Sequence, residues 1–457
     1  MTDNLHIVVL AAGSGTRMGS AHPKVLAPLG EWPLLRHVVA TAETLEPTQI
    51  HVVCGAGVEQ IRTALGYLAV NWVEQPQPLG TGDAVAAAMD AIPDHAQVLV
   101  LYGDVPLVRP RTLTHLLTTA ASDGMAILTT ELAEPAGYGR IVRDAAGGVA
   151  AIVEDKDLAA DQRTIREINT GLMVAPAAHL RDWLVRLSND NAQGEYLLTD
   201  CIAMAVADHR PVVADPAETV AETQGINDRR DLACAERVYQ QRRNDDLLAA
   251  GVTLRDPARV DVRGRIEVGR DVLIDVDVVL EGEITLGNGV HIEAGCVIRH
   301  SVIGDGGRVM AHTVVEHAHL ATECQVGPFA RIRPGTELGH RARIGNFVET
   351  KNASVGASTK VNHLSYVGDA ALGTGVNIGA GVITCNYDGA NKHVTTIGDD
   401  AFVGSNSELV APVEIGAGAT IAAGTTLTKA APANKLSLTR KEQVAVDNWR
   451  RPKKTDS

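Results

Sequence analysis

Rings are scarce in this chain: Phe, Trp and Tyr together make up 3% of 457 residues. That disfavours a large mixed sandwich core and suits a thin prism filled with aliphatic side chains. Cysteine pairs are missing too. Cys54, Cys201, Cys234, Cys296, Cys324 and Cys385 form no CxxC and no even framework, as expected of reduced thiols, and a zinc ribbon is disfavoured. The chain has no excess of base, with a net charge of −14, so it lacks the broad basic face on which nucleic-acid affinity rests. It has no apolar run of membrane-spanning length, and MTDNLHIVVL enters a strand-like segment without a basic leader. We therefore expect a cytoplasmic protein that engages neither membrane nor nucleic acid. Its hydrophobic content of 45% and its length suffice for two or three domains with real cores.

From about Val260 to Leu427 a branched aliphatic residue returns at every sixth position. Ile266, Val272, Val278, Ile284 and Val290 keep one register, with Cys296 and Val302 continuing it. The register slips by one at Ile303 and Val309, resumes at Leu320, Val326, Ile332, Leu338 and Ile344, and ends through Ile397, Val403, Leu409, Ile415, Ile421 and Leu427. A period of six is neither helical nor a simple alternation, so it predicts a coil of short strands in which each hexad makes one flat face. This pattern resembles the left-handed parallel β-helix of the hexapeptide-repeat acyltransferases; the resemblance supplies the left hand, which composition does not. The repeat alone would also suit a structural spacer. The period fails between Ile378 and Ile397, where AGVITCNYDGANKH (Ala380 to His393) reads as a projecting functional loop just after KVNHLSY and its His363.

At the other end, the apolar run His6 to Leu10 leads into AAGSGTRMG, a buried strand entering a glycine-rich turn whose N–H groups can face a phosphate. It is not a Walker loop, and with Met at position 18 it fails the dinucleotide fingerprint. Arg17 and Lys24 place two cations beside it. LAAGSGTRM followed by PKVLAPLG resembles the signature of the sugar-1-phosphate nucleotidyltransferases, an α/β Rossmann-like family. VEQPQPLGTGDAV and VLVLYGDVPLV resemble that family's base-reading and metal-binding segments. The second is a strand ending in Asp104, the end at which open α/β sheets bind ligands.

Residues Asp228 to Gly251 are charged and free of proline, predicting a helix capped by Gly251. We expect a first domain over 1–228, a linking helix over 229–250 and a β-helix domain with a basic tail over 251–457. In this order the parts, with NFVETKNA, HLSYVGDA and FVGSNSELVAP, resemble the bifunctional N-acetylglucosamine-1-phosphate uridylyltransferase/glucosamine-1-phosphate acetyltransferases over essentially the whole chain. The resemblance implies two sites, with UTP and acetyl-CoA as co-substrates and magnesium at the first. There, Leu10, Ala11, Ala12 and Gly13 hold the nucleotide, Gln75, Gly80 and Thr81 read uracil, and Arg17 and Lys24 neutralise developing phosphate charge. Tyr102, Gly103, Gly139, Glu154 and Asn169 complete the nucleotide-sugar site, and Asp104 with Asn227 holds magnesium. In the second site His363 is the base and Asn386 orients its other ring nitrogen. Arg333, Lys351, Tyr366, Asn377 and Lys392 bind the sugar phosphate. Ala380, Asn386, Tyr387, Ser405, Ala423 and Arg440 bind the coenzyme. Flat, repeated faces imply a homotrimer. Ser14 and Asn362 depart from the family's pattern.

Three rival readings differ in what they need. A monofunctional nucleotidyltransferase with a structural β-helix would lack His363 and the Asn386-Tyr387 loop. A zinc-dependent β-helix hydratase would need histidines at that family's spacing, which His312, His317 and His319 do not keep. A scaffold would explain the repeats but neither the glycine-rich loop nor the catalytic loop.

Overall fold

The computed structural model describes residues 4–13, 16–55, 57–191, 193–439 and 442–451. The chain divides into two compact units, Met1–Tyr239 and Gln240–Ser457.

The first unit is built on a nine-stranded sheet whose main path runs Val212–Pro216, Met125–Glu131, Glu167–Pro176, Gln97–Tyr102, Leu5–Ala11, Gln49–Cys54, Asn71–Glu74. Glu167–Pro176 is antiparallel to both neighbours; the other contacts on this path are parallel. Leu5–Ala11 is buried along its whole length, as a central parallel strand covered on both faces must be. Ile7, Val9 and Leu101 belong to the core on one face; Val8, Val100 and Val85 belong to the core on the other. The result is an α/β Rossmann-like unit.

The second unit is a left-handed parallel β-helix. Before the insertion each strand lies on its partner 17 or 18 residues away, one turn of three hexads. The inward aliphatics, Val272, Val290, Ile303, Val326, Val361 and Val403 among them, are fully buried in a single stacked core. Burying each is worth about 1.5–3 kcal/mol. Corners recur at residues with positive φ, including Gly282, His300, His317, Gly335, Asn352 and Asp369 in one column. Long strands such as Val278–Leu286 and Tyr366–Leu372 run across that corner without a break.

Two details differ from the sequence reading. Val302 does not continue the inward register: it is 38% exposed, while Ile303 is buried. The turn shortens between Arg299 and Val302, so Glu281 still pairs with Arg299 at a step of 18 but Thr285 pairs with Val302 at 17. The projecting loop also begins later than Ala380. Ile383–Cys385 remains a strand of the coil, and the step across the insertion grows to 25 residues.

The helix Arg229–Ala249 runs through the boundary between the units. Ala235 is buried with Leu29, Leu34, Leu107 and Ile226, and Leu247 is buried with the β-helix core. Gly251, at φ +90°, ends the helix in a Schellman motif: its N–H donates to the Leu248 carbonyl, and the Val252 N–H donates to that of Leu247.

Candidate functional site

From Leu5–Ala11 the chain moves to Gln49–Cys54 on one side and later to Gln97–Tyr102 on the other, both parallel to it. This change of direction opens a crevice at the carboxyl ends of Leu5–Ala11 and Gln97–Tyr102. A cavity of about 400 Å³ lies there. The end of the first strand supplies Leu10, Ala11, Ala12 and Gly13, and the second supplies Tyr102 and Asp104. Gly103 donates its N–H to the Leu10 carbonyl at 2.9 Å and ties the two strand ends together. Gln75, Gly80, Thr81 and Lys24 also line the cavity, and so do Val25, Pro78, Ala84 and Glu195, which sequence reasoning did not single out.

Gly80 has φ +119°, and a Cβ there would lie 2.5 Å from the Tyr196 carbonyl oxygen. Only glycine lets these backbones meet. The Gly82 N–H donates to the Tyr196 carbonyl and the Tyr196 N–H to that of Leu79, both at 2.8 Å. Thr81 Oγ1 accepts from the Leu198 N–H at 3.1 Å. Gln75 is buried and donates to Asp83 Oδ2 at 2.7 Å and to the Gly80 carbonyl at 3.2 Å.

Lys24 and Asp104, which line this cavity, converge with Asn227 and Arg17. Lys24 Nζ pairs with Asp104 Oδ2 and lies 3.5 Å from Asn227 Oδ1, which also accepts from Arg17 Nη2 at 3.0 Å. One carboxylate oxygen and one amide oxygen thus face a single cationic position, a donor set suited to magnesium that keeps phosphates and water as its other ligands. Gly139, Glu154 and Asn169 form a neighbouring group. Asn169 donates its N–H to the Gly139 carbonyl, and a Cβ on Gly139 would approach Glu154 Oε1 at 3.4 Å. Burial raises the Glu154 carboxyl above its ordinary range, against a 3.2 Å hydrogen bond from Thr199. Desolvation likewise raises the Tyr102 phenol, with Asp104 and Glu154 adding to it.

On the β-helix, His363 ends the strand Lys360–His363 and is exposed. Asn346 stands in register with it one coil earlier, and Asn346 Oδ1 lies 3.0 Å from His363 Nδ1. Asn346 therefore holds the position expected of Asn386. Asn386 instead donates to Asp369, across the corner column. Ala380, Ser405 and Ala423 follow His363 along one corner: Gly381 donates to the His363 carbonyl, Asn406 to that of Ala380 and Gly424 to that of Ser405. Asn377 lies on the adjoining face between Lys360 and Phe402.

The cations gather at a different corner. Arg333 pairs with Glu349 at 2.7 Å, and Lys392 and Arg333 press on Lys351, holding its ammonium below the ordinary lysine range. Asp369 accepts from Asn352 at 2.7 Å and from Asn386. Burial alone would raise its carboxyl, but those two donors, with Lys392 and Lys351, hold it below the usual range. Tyr366 pairs with Glu349 on the face between the two corners. The loop itself is closed by Asp388, which accepts from Ala390 and Asn391 and faces His393 Nε2 at 2.7 Å; Tyr387 donates to the Gly389 carbonyl at 2.6 Å. Arg440, Ser14 and Gly15 lie outside the described residues. His312 and His317 stack on Phe329 and His300 respectively, and His319 pairs with Val302 and Glu337 in the ladder.

Comparison with known proteins covers nearly the whole chain. Residues 7–191 match the MobA-like NTP transferase domain, 262–348 the GMPPB C-terminal domain, and 394–429 the hexapeptide repeat of succinyl-transferase. The bifunctional protein GlmU of Alkalilimnicola ehrlichii is 56% identical over 452 residues, covering 99% of this chain and 97% of that protein. The GlmU of Aromatoleum aromaticum is 52% identical over 98% of this chain and 99% of its own length, and that of Stutzerimonas stutzeri 54% over 99% and 100%. At this identity over this length, the chain belongs to the bifunctional GlmU family, transferases that join a nucleotidyltransferase to a hexapeptide-repeat acyltransferase.

Proposed function

We propose that the β-helix acetylates glucosamine-1-phosphate from acetyl-CoA, and that the first unit then transfers the uridylyl group of UTP to the N-acetylglucosamine-1-phosphate formed. The products are UDP-N-acetylglucosamine, a precursor for peptidoglycan and lipopolysaccharide, and pyrophosphate. The observation that carries the reading is the convergence of Asn227 and Arg17 on Lys24 and Asp104, which line the crevice. In that step a phosphate oxygen of the sugar attacks the α-phosphorus in line and pyrophosphate leaves, so the protein's work is positioning and charge neutralisation. Lys24 and Arg17 supply fixed positive charge, Gln75, Gly80 and Thr81 bind the base, and Gly139, Glu154 and Asn169 bind the sugar. Magnesium bound by Asp104 and Asn227 would add charge neutralisation at the phosphates.

For acetyl transfer, the amine loses a proton as it attacks the thioester carbonyl, and the coenzyme leaves as its thiolate. Asn346 Oδ1 accepts from Nδ1–H of His363, which leaves Nε2 with a lone pair to take that proton. Arg333, Lys351 and Lys392, with Tyr366 and Asn377, bind the sugar phosphate; Ala380, Asn386, Tyr387, Ser405, Ala423 and Arg440 bind the coenzyme. Phe329, Phe347 and Leu364, 50–61% exposed along the corner that carries His363, favour a homotrimer that packs this ridge against a neighbouring copy. Unpaired cysteines suit the cytoplasm.

Incubating the protein with glucosamine-1-phosphate, acetyl-CoA, UTP and magnesium should yield UDP-N-acetylglucosamine. EDTA should stop UTP consumption and spare acetylation. Equal loss of both activities by a still-assembled protein would overturn the metal assignment.

A further inference from the structure

Asn227 is followed at once by the helix Arg229–Ala249, whose amino end is closed by two aspartates. Asp228 Oδ1 accepts from the backbone N–H groups of Arg230 at 2.7 Å and Asp231 at 3.0 Å. Asp231 Oδ2 accepts in return from the Asp228 N–H at 3.3 Å, a reciprocal capping box with aspartate in its third position. A capping box needs no more than that. Here the same Asp231 oxygen also accepts from the backbone N–H of Asn227 at 2.9 Å, its shorter contact of the two. On the other side, the Ile226 N–H donates to the carbonyl of Asp104 at 2.9 Å, and Ile226 is buried. The backbone on either side of the Asn227 amide is thus fastened at two points, to the chain of Asp104 and to the side chain of Asp231.

We infer that Asp231 is a positioning residue for uridylyl transfer: it fixes the backbone of Asn227 so that Oδ1 stays opposite Asp104, and so sets the affinity of the divalent-cation site. The inference rests on the proposed role of Asp104 and Asn227. The carboxylate touches neither the cation position nor the cavity; it acts through Asn227. Partners of this kind behind a metal ligand typically change metal affinity by about 10-fold to 100-fold when removed. Losing the helix cap, by contrast, lowers stability without reaching the site.

Asp228 separates the two roles: among the described residues its side chain hydrogen-bonds only to the helix end, although its charge also acts on Arg230 and Arg17. Manganese binding to the full-length protein with UTP and no sugar phosphate, followed by electron paramagnetic resonance, reports the site without turnover. Asp231→Ala should weaken manganese about tenfold and raise the magnesium concentration for half-maximal uridylyl transfer to match. Asp231→Asn, which keeps an oxygen acceptor, should restore most of it. Asp228→Ala should lower the melting temperature as Asp231→Ala does and leave the manganese curve in place. Equal weakening by the two alanine variants, or none by Asp231→Ala, would overturn the inference. Asp104→Ala tells that failure from failure of the site itself. If Asp104→Ala loses manganese and Asp231→Ala does not, only the positioning role falls; if Asp104→Ala also binds manganese normally, the assignment beneath it falls too.

Discussion

His6 and His51 are both buried near the amino ends of their strands, with His6 Nδ1 3.0 Å from His51 Nε2 and His51 Nδ1 3.0 Å from Asn71 Nδ2. The amide of Asn71 donates to one ring and that ring donates to the next, an arrangement of neutral imidazoles. Burial pulls both rings below the ordinary histidine value, His51 to about 4. The unfolded chain then takes up protons as pH falls through about 6.5 while the folded chain does not, so stability is lost from there down to about pH 4. We expect this pair to lower stability across that window, His51 contributing most of the loss. Replacing His51 with Gln should flatten the fall in melting temperature between pH 6.5 and 4.5, and an unchanged slope would exclude the pair as its source. Neither this pairing nor that of Lys24 with Asp104 and Asn227 could be read from spacing, because 45, 80 and 203 residues separate the partners. The separate groups were legible: a strand ending in aspartate, and a lysine after a glycine-rich turn. Their meeting depends on strand order.

Among elements, the hexads were the most legible, since stacking imposes an inward side chain every sixth residue, aliphatic at most positions and threonine at Thr350 and Thr384. The corners were less so. Their positive φ favours glycine, yet one column holds histidine, asparagine and aspartate as well. Asn346 precedes His363 by one coil of 17 residues, a relation that the six-residue pattern and the loop after His363 do not mark. The same column explains how the loop is held: Asn352, Asp369 and Asn386 stack on successive coils, with Asp369 accepting from both amides. Asp369→Ala strands both donors and removes the anion facing Lys351 and Lys392, at a cost of about 1–3 kcal/mol. Acetyl transfer should fall, uridylyl transfer should persist, and amide exchange at 386–393 should accelerate. Unaltered exchange in that loop would show that the column does not hold it.

At the scale of the molecule, the two proposed chemistries draw on different folded units. Lys24, Asp104 and Asn227 belong to Met1–Tyr239; Asn346, His363, Lys351 and Asn386 belong to Gln240–Ser457. Their apolar clusters are separate as well, so substitutions in one unit should be nearly additive with those in the other. His363→Ala removes the proposed base, whose contribution is typically about a hundredfold to ten-thousandfold, while uridylylation of supplied N-acetylglucosamine-1-phosphate should continue at its normal rate. Asp104→Ala should do the reverse, and because its carboxylate is a proposed magnesium ligand, the loss should appear in kcat as well as in nucleotide binding. Steady-state kinetics of both half-reactions for both variants, with sedimentation to establish that each keeps the wild-type assembly, decides the matter. Near-normal acetylation by His363→Ala would remove the base assignment. If either variant lost both activities in parallel while still assembled, the division of labour between the units would be wrong.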